Sequence, residues 1–214
     1  LLANTTGQYN TVMGSVAGSQ STGELNTLLG YAVGATSTAL TTGDSNTIVG
    51  ALCDTSASGS SKAMGLGYSL DCAAGYTTLG DGSSDIRAAH GTATWATVSD
   101  QRYKKDIVDS TTGLSFINAL QPRTFKYKTL GELPETFRAY EEGSTEVFKS
   151  SQTQHGFIAQ EIKAAIDADD SIKDGFKLWD DREDGSQEVA EAALIPVLVK
   201  AIQELTARIE TLEG

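Results

Sequence analysis

The stretch Ser99-Asp-Gln-Arg-Tyr-Lys-Lys-Asp-Ile107 places a hydroxyl that can act as a nucleophile five residues ahead of the amine of Lys104. A serine hydroxyl attacks a carbonyl only when a base takes its proton, and a lysine becomes such a base when burial favours its neutral form. The pair thus suggests acyl chemistry of the Ser–Lys type, directed at a bond of the chain itself. Five residues of α-helix rotate through about 140°, so the two side chains would not share a helical face, but they could meet across a strand-to-turn junction where Ser99 ends the strand and Lys104 folds back. The same residues also have a purely structural reading, in which Ser99 caps a helix beginning at Asp100 and Lys104 is a solvated charge. Spacing alone favours the structural reading, because Ser-x4-Lys is common in proteins.

The pair lies close to a change in character of the chain. Upstream, Gly7-Gln-Tyr-Asn-Thr-Val-Met-Gly14, Gly23-Glu-Leu-Asn-Thr-Leu-Leu-Gly30 and Gly43-Asp-Ser-Asn-Thr-Ile-Val-Gly50 share one pattern, and Gly59-Ser-Ser-Lys-Ala-Met-Gly65 is a decayed fourth copy. A period this short suits a coil of β-solenoid or β-roll rather than a helical hairpin. Val12-Met13, Leu28-Leu29 and Ile48-Val49 supply short apolar strands, and Asn10, Asn26 and Asn46 are expected at turn positions that tolerate the left-handed region. One coil buries only two or three apolar side chains, so stacked coils or several chains wound together must supply the core. Beyond Gly75 the period is expected to lapse, and a strand over roughly 92–98, around Trp95, leads into Ser99.

Downstream, Leu114-Ser-Phe-Ile-Asn-Ala-Leu120 has helical apolar spacing and stops before Pro122. Arg123-Thr-Phe-Lys-Tyr-Lys128 alternates as a strand does. Residues 129–152 read as a long loop or an extended arm wrapping a neighbour. His155-Gly-Phe-Ile-Ala-Gln-Glu-Ile162 runs a short strand into a helix reaching about Ile166, and Lys177-Leu-Trp179 is a further short strand. The last element is a helix in which Ile195, Leu198, Ile202, Leu205, Ile209 and Leu212 recur at spacings of 3, 4, 3, 4 and 3, an a/d seam with Pro196 in the first turn. Spacing leaves open whether that seam docks on the domain or on other copies of the chain.

Composition sets the outer bounds. The 214 residues are 39% hydrophobic and 7% aromatic, lean for one large core, and carry a net charge of −12. Such a charge disfavours nucleic acid and anionic membrane surfaces as partners. No apolar run approaches the ~20 residues of a membrane-spanning helix. The opening Leu1-Leu2-Ala3 suggests a piece of a longer protein. Cys53 and Cys72 stand outside any metal-ligand spacing and read as buried hydrophobes, with a disulfide between neighbouring coils as the weaker alternative.

Other candidates for chemistry are weaker. His155 reads as a structural histidine opening a strand, although it could assist proton transfer. His90 lacks a third triad member nearby. Asp180, Asp184, Gly185 and Glu191 match four positions of a calcium loop, but Arg182 occupies a ligand position and no helical pattern precedes it, so this reads as a solvated acidic turn. Lys104-Lys105 lacks the glycines of a phosphate loop. No metal and no cofactor are expected.

The stretch Ser99–Ile107 resembles the S-D-x-R-x-K-x-x-I signature of the C-terminal intramolecular chaperone of endosialidase-type phage tailspikes and tail fibres. Leu120-Gln-Pro-Arg-Thr-Phe-Lys-Tyr127, Gly156-Phe-Ile-Ala-Gln-Glu-Ile162 and Leu194-Ile-Pro-Val-Leu-Val-Lys-Ala-Ile-Gln-Glu-Leu205 extend the resemblance in order. The repeats resemble those of trimeric autotransporter adhesin heads and phage fibre collars. A related domain occurs in a membrane-tethered eukaryotic transcription factor, but the fibre-like repeat upstream fits the phage setting better. The resemblance implies an α+β chain with an all-β repetitive N-terminal part: a homotrimeric β-roll or β-helix-like fibre segment over 1–98, then a mixed α/β chaperone domain over 99–214 ending in a long C-terminal helix. It implies a homotrimer within a virion, assembled in the host cytoplasm, whose wider fibre meets a host cell-surface receptor or glycan. It also implies autocleavage between Val98 and Ser99, with Ser99 as nucleophile and Lys104 as general base. Some members of the family respond to ATP, which no residue here supports. The rival readings are a trimeric adhesin tip or clamp that stays uncut and, less well supported, a hydrolase acting in trans.

Overall fold

The computed structural model describes residues 2–173 and 175–214 and divides the chain into two compact units, Leu1–Asp106 and Ile107–Gly214. The division falls a few residues after Ser99, so the segment 99–106 is grouped with the first unit.

The first unit is β-solenoid-like. Strands β1 (Thr11–Met13), β2 (Thr27–Tyr31), β3 (Thr47–Ala51), β5 (Met64–Tyr68) and β7 (Tyr76–Asp81) stack in parallel in one sheet, while β4 (Asp54–Thr55) pairs in parallel with β6 (Asp71–Cys72) to form part of a second wall. Thr11, Thr27, Thr47, Met64 and Thr77 occupy one column, 16, 20, 17 and 13 residues apart. The repeat therefore does not lapse after its fourth copy: β7 is a fifth rung. Its sequence Thr77-Thr-Leu-Gly80 keeps the glycine and the outward leucine but has lost the asparagine. Strands β8 (Ser84–Ala89) and β9 (Ala96–Thr97) then close the sheet in antiparallel fashion. The strand expected over 92–98 is limited to those two residues, because His90 to Ala93 are taken up in the turn that reverses the chain.

Alternation along each rung sorts the side chains. Leu28 and Ile48 point inward, next to Val33, Leu40, Cys53, Ala63, Leu70 and Cys72, and all eight are essentially inaccessible. Gly65 takes the inward place on β5 because the Cys72 sulfur fills it: a Cβ there would lie 2.3 Å from Sγ. Met13, Leu29, Val49, Leu66 and Leu79 form the outward column, with Met13 and Leu66 exposed. The next residue of each rung is a glycine with φ between 126° and 154°, and a Cβ on Gly14, Gly30, Gly50 or Gly67 would lie 1.6–2.0 Å from the carbonyl oxygen of the glycine on the following rung. Only glycine permits that approach.

The asparagines do not sit at the left-handed positions. Those belong to the preceding residues Tyr9, Leu25 and Ser45, with φ of 58–60°. The asparagine side chains form a ladder along the coil axis instead. Asn26 N–H donates to Asn10 Oδ1, Asn46 N–H to Asn26 Oδ1 and Ala63 N–H to Asn46 Oδ1, while the three Nδ2 groups donate to the carbonyls of Gly23, Gly43 and Ser60. Asn26 and Asn46 are buried, and an amide carries both the donors and the acceptor that such a place demands.

The second unit is mixed. Helix α1 (Leu114–Ala119) ends before Pro122; β10 (Arg123–Phe125) pairs antiparallel with β11 (Gln154–Gly156); α2 (Ala159–Asp167) follows. Then β12 (Trp179–Asp181) and β13 (Gln187–Val189) form a hairpin, and α3 (Leu194–Glu213) ends the chain. Residues 129–152 are not an extended arm. They fold back through the Thr129–Val147 bridge, and Phe148 packs edge-to-face on Tyr127 just ahead of the segment. The core comprises Phe116, Ile162, Ile166, Leu178, Leu194 and Val197.

Helix α3 resolves the ambiguity of its spacing. Its buried face is Leu194, Val197 and Ala201, continued by Glu204, whose carboxylate accepts the Leu114 N–H at 2.9 Å and so caps α1. The seam Ile195, Leu198, Ile202, Leu205, Ile209 and Leu212 lies one residue round the helix and is exposed along its whole length.

A candidate self-cleavage site

Strand β9 pairs with β8 through Thr97 opposite Ile86, and the Thr97 hydroxyl donates to the Asp85 carbonyl at 3.1 Å. The chain leaves the sheet at Val98, which is half exposed, and turns immediately. Asp100 is extended, residues Gln101–Tyr103 make a single 3-10 turn, and Lys104 is extended again, its N–H bonded to the Gln101 carbonyl at 2.9 Å. A turn between two extended residues folds the lysine back towards its start. Lys104 Nζ donates to Ser99 Oγ at 2.7 Å. The structure thus brings the two expected site residues together, at the strand-to-turn junction their spacing allows.

The capping expectation needs correction. Ser99 is not the cap, and no long helix follows. Asp100 is the cap: its Oδ1 accepts the Arg102 N–H at 2.8 Å and Arg102 Nε–H at 3.0 Å, while Arg102 Nη2 donates to Oδ2 at 2.7 Å. These bonds from Arg102 hold the Asp100 carboxyl below the usual carboxylate range. The signal was present in the Asp-x-Arg spacing, which reads equally well as an exposed ion pair. Ser99 and Lys104 are both solvent-exposed in the single chain.

The other candidates fall elsewhere. His155 sits exposed on β11 opposite Thr124, and His90 follows β8 beside a 340 Å³ cavity lined also by Thr77, Thr92 and Trp95. Asp184 accepts the N–H and hydroxyl of Ser186 and the N–H of Arg138, which lower its carboxyl to about 2. It serves as a turn cap, and no group of residues suited to a metal occurs among the described residues. Cys53 and Cys72 are free thiols in the solenoid core rather than a disulfide, and burial, aided by Cys53, pushes the Cys72 thiol up to about 12. Among the described residues no helix is long and apolar enough to cross a membrane.

No curated protein and no solved structure matches the chain. Residues 99–170, beginning at the serine that meets Lys104, match the model of a peptidase family described as chaperone of endosialidase, which supports an intramolecular chaperone domain of the endosialidase type in this segment.

Proposed function

We propose that this chain is the C-terminal part of a phage tail fibre or tailspike whose chaperone domain assembles three copies, guides the upstream β-structure into register and then releases itself by cutting between Val98 and Ser99. The observation that carries the reading is the 2.7 Å contact between Lys104 Nζ and Ser99 Oγ, at the start of the matched segment and two residues beyond the end of a strand.

The chemistry follows from the placement. Neutral Lys104 takes the Oγ proton as Ser99 attacks the carbonyl carbon of Val98, its own neighbour, through a five-membered ring. The C–N bond breaks, the proton passes to the leaving Ser99 amine, and Val98 is left as an ester on Oγ. Water then hydrolyses the ester, giving the Val98 carboxylate and restoring the hydroxyl. In the single chain the lysine amine donates to the serine oxygen. Burial favours the neutral amine, so a neighbouring copy that covers residues 99–104 would make the pair competent.

Assembly has its own support. The seam of α3 is apolar and unused within the chain, and the outward column of the solenoid adds a second apolar surface. Registering three β-rich chains is slow because their contacts are non-local. A helical domain that gathers them first raises their effective concentration. Losing it afterwards makes the fibre hard to unfold.

Intact mass of freshly purified protein under denaturing conditions, beside Ser99→Ala and Lys104→Ala, tests the reading. Two fragments meeting at Val98–Ser99 in the wild type, with one full-length species in each variant, support it. Full-length protein in all three would leave a chaperone-type trimer clamp without peptidase activity.

A further inference from the structure

The hydroxyl of a serine just before a turn has two competing uses: it can attack, or it can accept one of the free N–H groups at the turn's start. Serine is among the best residues for capping, and a capping hydroxyl is held away from its own preceding carbonyl. Two N–H groups open the turn, those of Gln101 and Arg102, and the Arg102 N–H is already bound by Asp100 Oδ1 at 2.8 Å. The same oxygen holds Arg102 Nε–H, so the carboxylate is clamped from both backbone and side chain. Ser99 Oγ is thus not drawn to the Arg102 N–H and instead accepts from Lys104 Nζ.

Resting on the cleavage reading above, we propose that Asp100 is the positioning residue of the Ser99–Lys104 pair: by capping the Gln101–Tyr103 turn it keeps the serine hydroxyl out of the cap and sets the fold-back that brings Lys104 onto it. The tight turn makes this role necessary. A fully extended segment would carry Lys104 about 16 Å from Ser99, beyond the reach of its side chain, and a regular helix would turn it to another face. Arg102 plays a lesser part, because its side chain is 87% exposed, and exposed ion pairs contribute little.

The role belongs to the acceptor oxygen of Asp100, not to its charge, and this makes it testable. Asparagine caps as well as aspartate, whereas alanine does not. Asp100→Ala should slow cleavage about 100-fold, the cost of displacing a reacting group by about 1 Å. Asp100→Asn should recover the rate to within about threefold, and Arg102→Ala should cost no more than about threefold. Helix content and oligomeric state, measured alongside, should be unchanged in all three. Wild-type cleavage in Asp100→Ala, or a loss that Asp100→Asn does not repair, overturns the assignment.

A readout independent of cleavage separates this from failure of the peptidase reading. In the uncleavable Lys104→Ala chain, adding Asp100→Ala should shift the Arg102 amide resonance and speed its hydrogen exchange, and adding Asp100→Asn should restore both. An Arg102 amide indifferent to residue 100 refutes the cap, whether or not the wild type cuts itself.

Discussion

Lys104 Nζ and Ser99 Oγ lie 2.7 Å apart across five residues, joined by a reversal of the chain rather than by a helix face. Lys104→Arg tests what that contact is for. Arginine keeps a donor within reach of Oγ but stays protonated, so the contact would persist and the cut would not occur. Mass spectrometry should show a single full-length chain for Lys104→Arg. Fragments at the wild-type level would mean that the amine serves only as a donor.

The two stripes of α3 predict opposite phenotypes. Ile202→Glu alters the exposed seam and should leave the helical circular dichroism of the unit intact while lowering the mass measured by light scattering towards one chain. Val197→Asp puts a carboxylate into the core beside Phe116 and Ile162 and should unfold the unit, at a cost on the order of 3 kcal/mol or more. Loss of helicity in Ile202→Glu would show that the seam packs within the chain.

Asn46→Ala should destabilise the solenoid by roughly 3 kcal/mol, since it strands the buried Ala63 N–H and the Ser60 carbonyl. Denaturant unfolding of Asn46→Ala beside Asn10→Ala checks this. Asn10 lies on the first rung, half exposed, and should cost markedly less.

The free Cys72 thiol predicts a pH dependence. Burial pushes it from the ordinary thiol value of 9.0 up to about 12, so above pH 9 the unfolded chain sheds a proton that the folded chain keeps. Stability should therefore fall as pH rises from 9 towards 12 and be indifferent to Cys72 below 9. Thermal midpoints of wild type and Cys72→Ala should draw together over that range. Parallel curves would mean that the thiol is not desolvated.

Much of this was legible in the residues, and the failures have physical causes. The recurring Asn-Thr-apolar-apolar-Gly units disclosed three rungs, because glycine and asparagine there answer local backbone demands. The fifth rung escaped notice since Ala63, which accepts no further coil through a side chain, ends the asparagine ladder before β7 begins. The role of the asparagines was misplaced for a related reason: a residue tolerant of the left-handed region also makes the best buried ladder, and only the fold distinguishes the two. At the junction, Ser99 and Asp100 are equally good caps on paper. Asp100 Oδ1 takes the Arg102 N–H that either side chain could accept, and that depends on a side-chain conformation that no spacing reveals.

The rungs hold one register while the chain between them runs for 13 to 20 residues, so variation in length is confined to the outer bends. A whole coil inserted by recombination would present the same glycine and threonine faces to the rungs on either side, and copy number can change without redesign. Peptides added at the exposed tip of the bend, between Thr36 and Ser37, would be carried outward in the same way. A single residue gained inside a rung would instead turn every side chain beyond it to the opposite face, putting Ile48 where Val49 belongs. Such a filament is free to evolve in units of coils and nearly frozen within them.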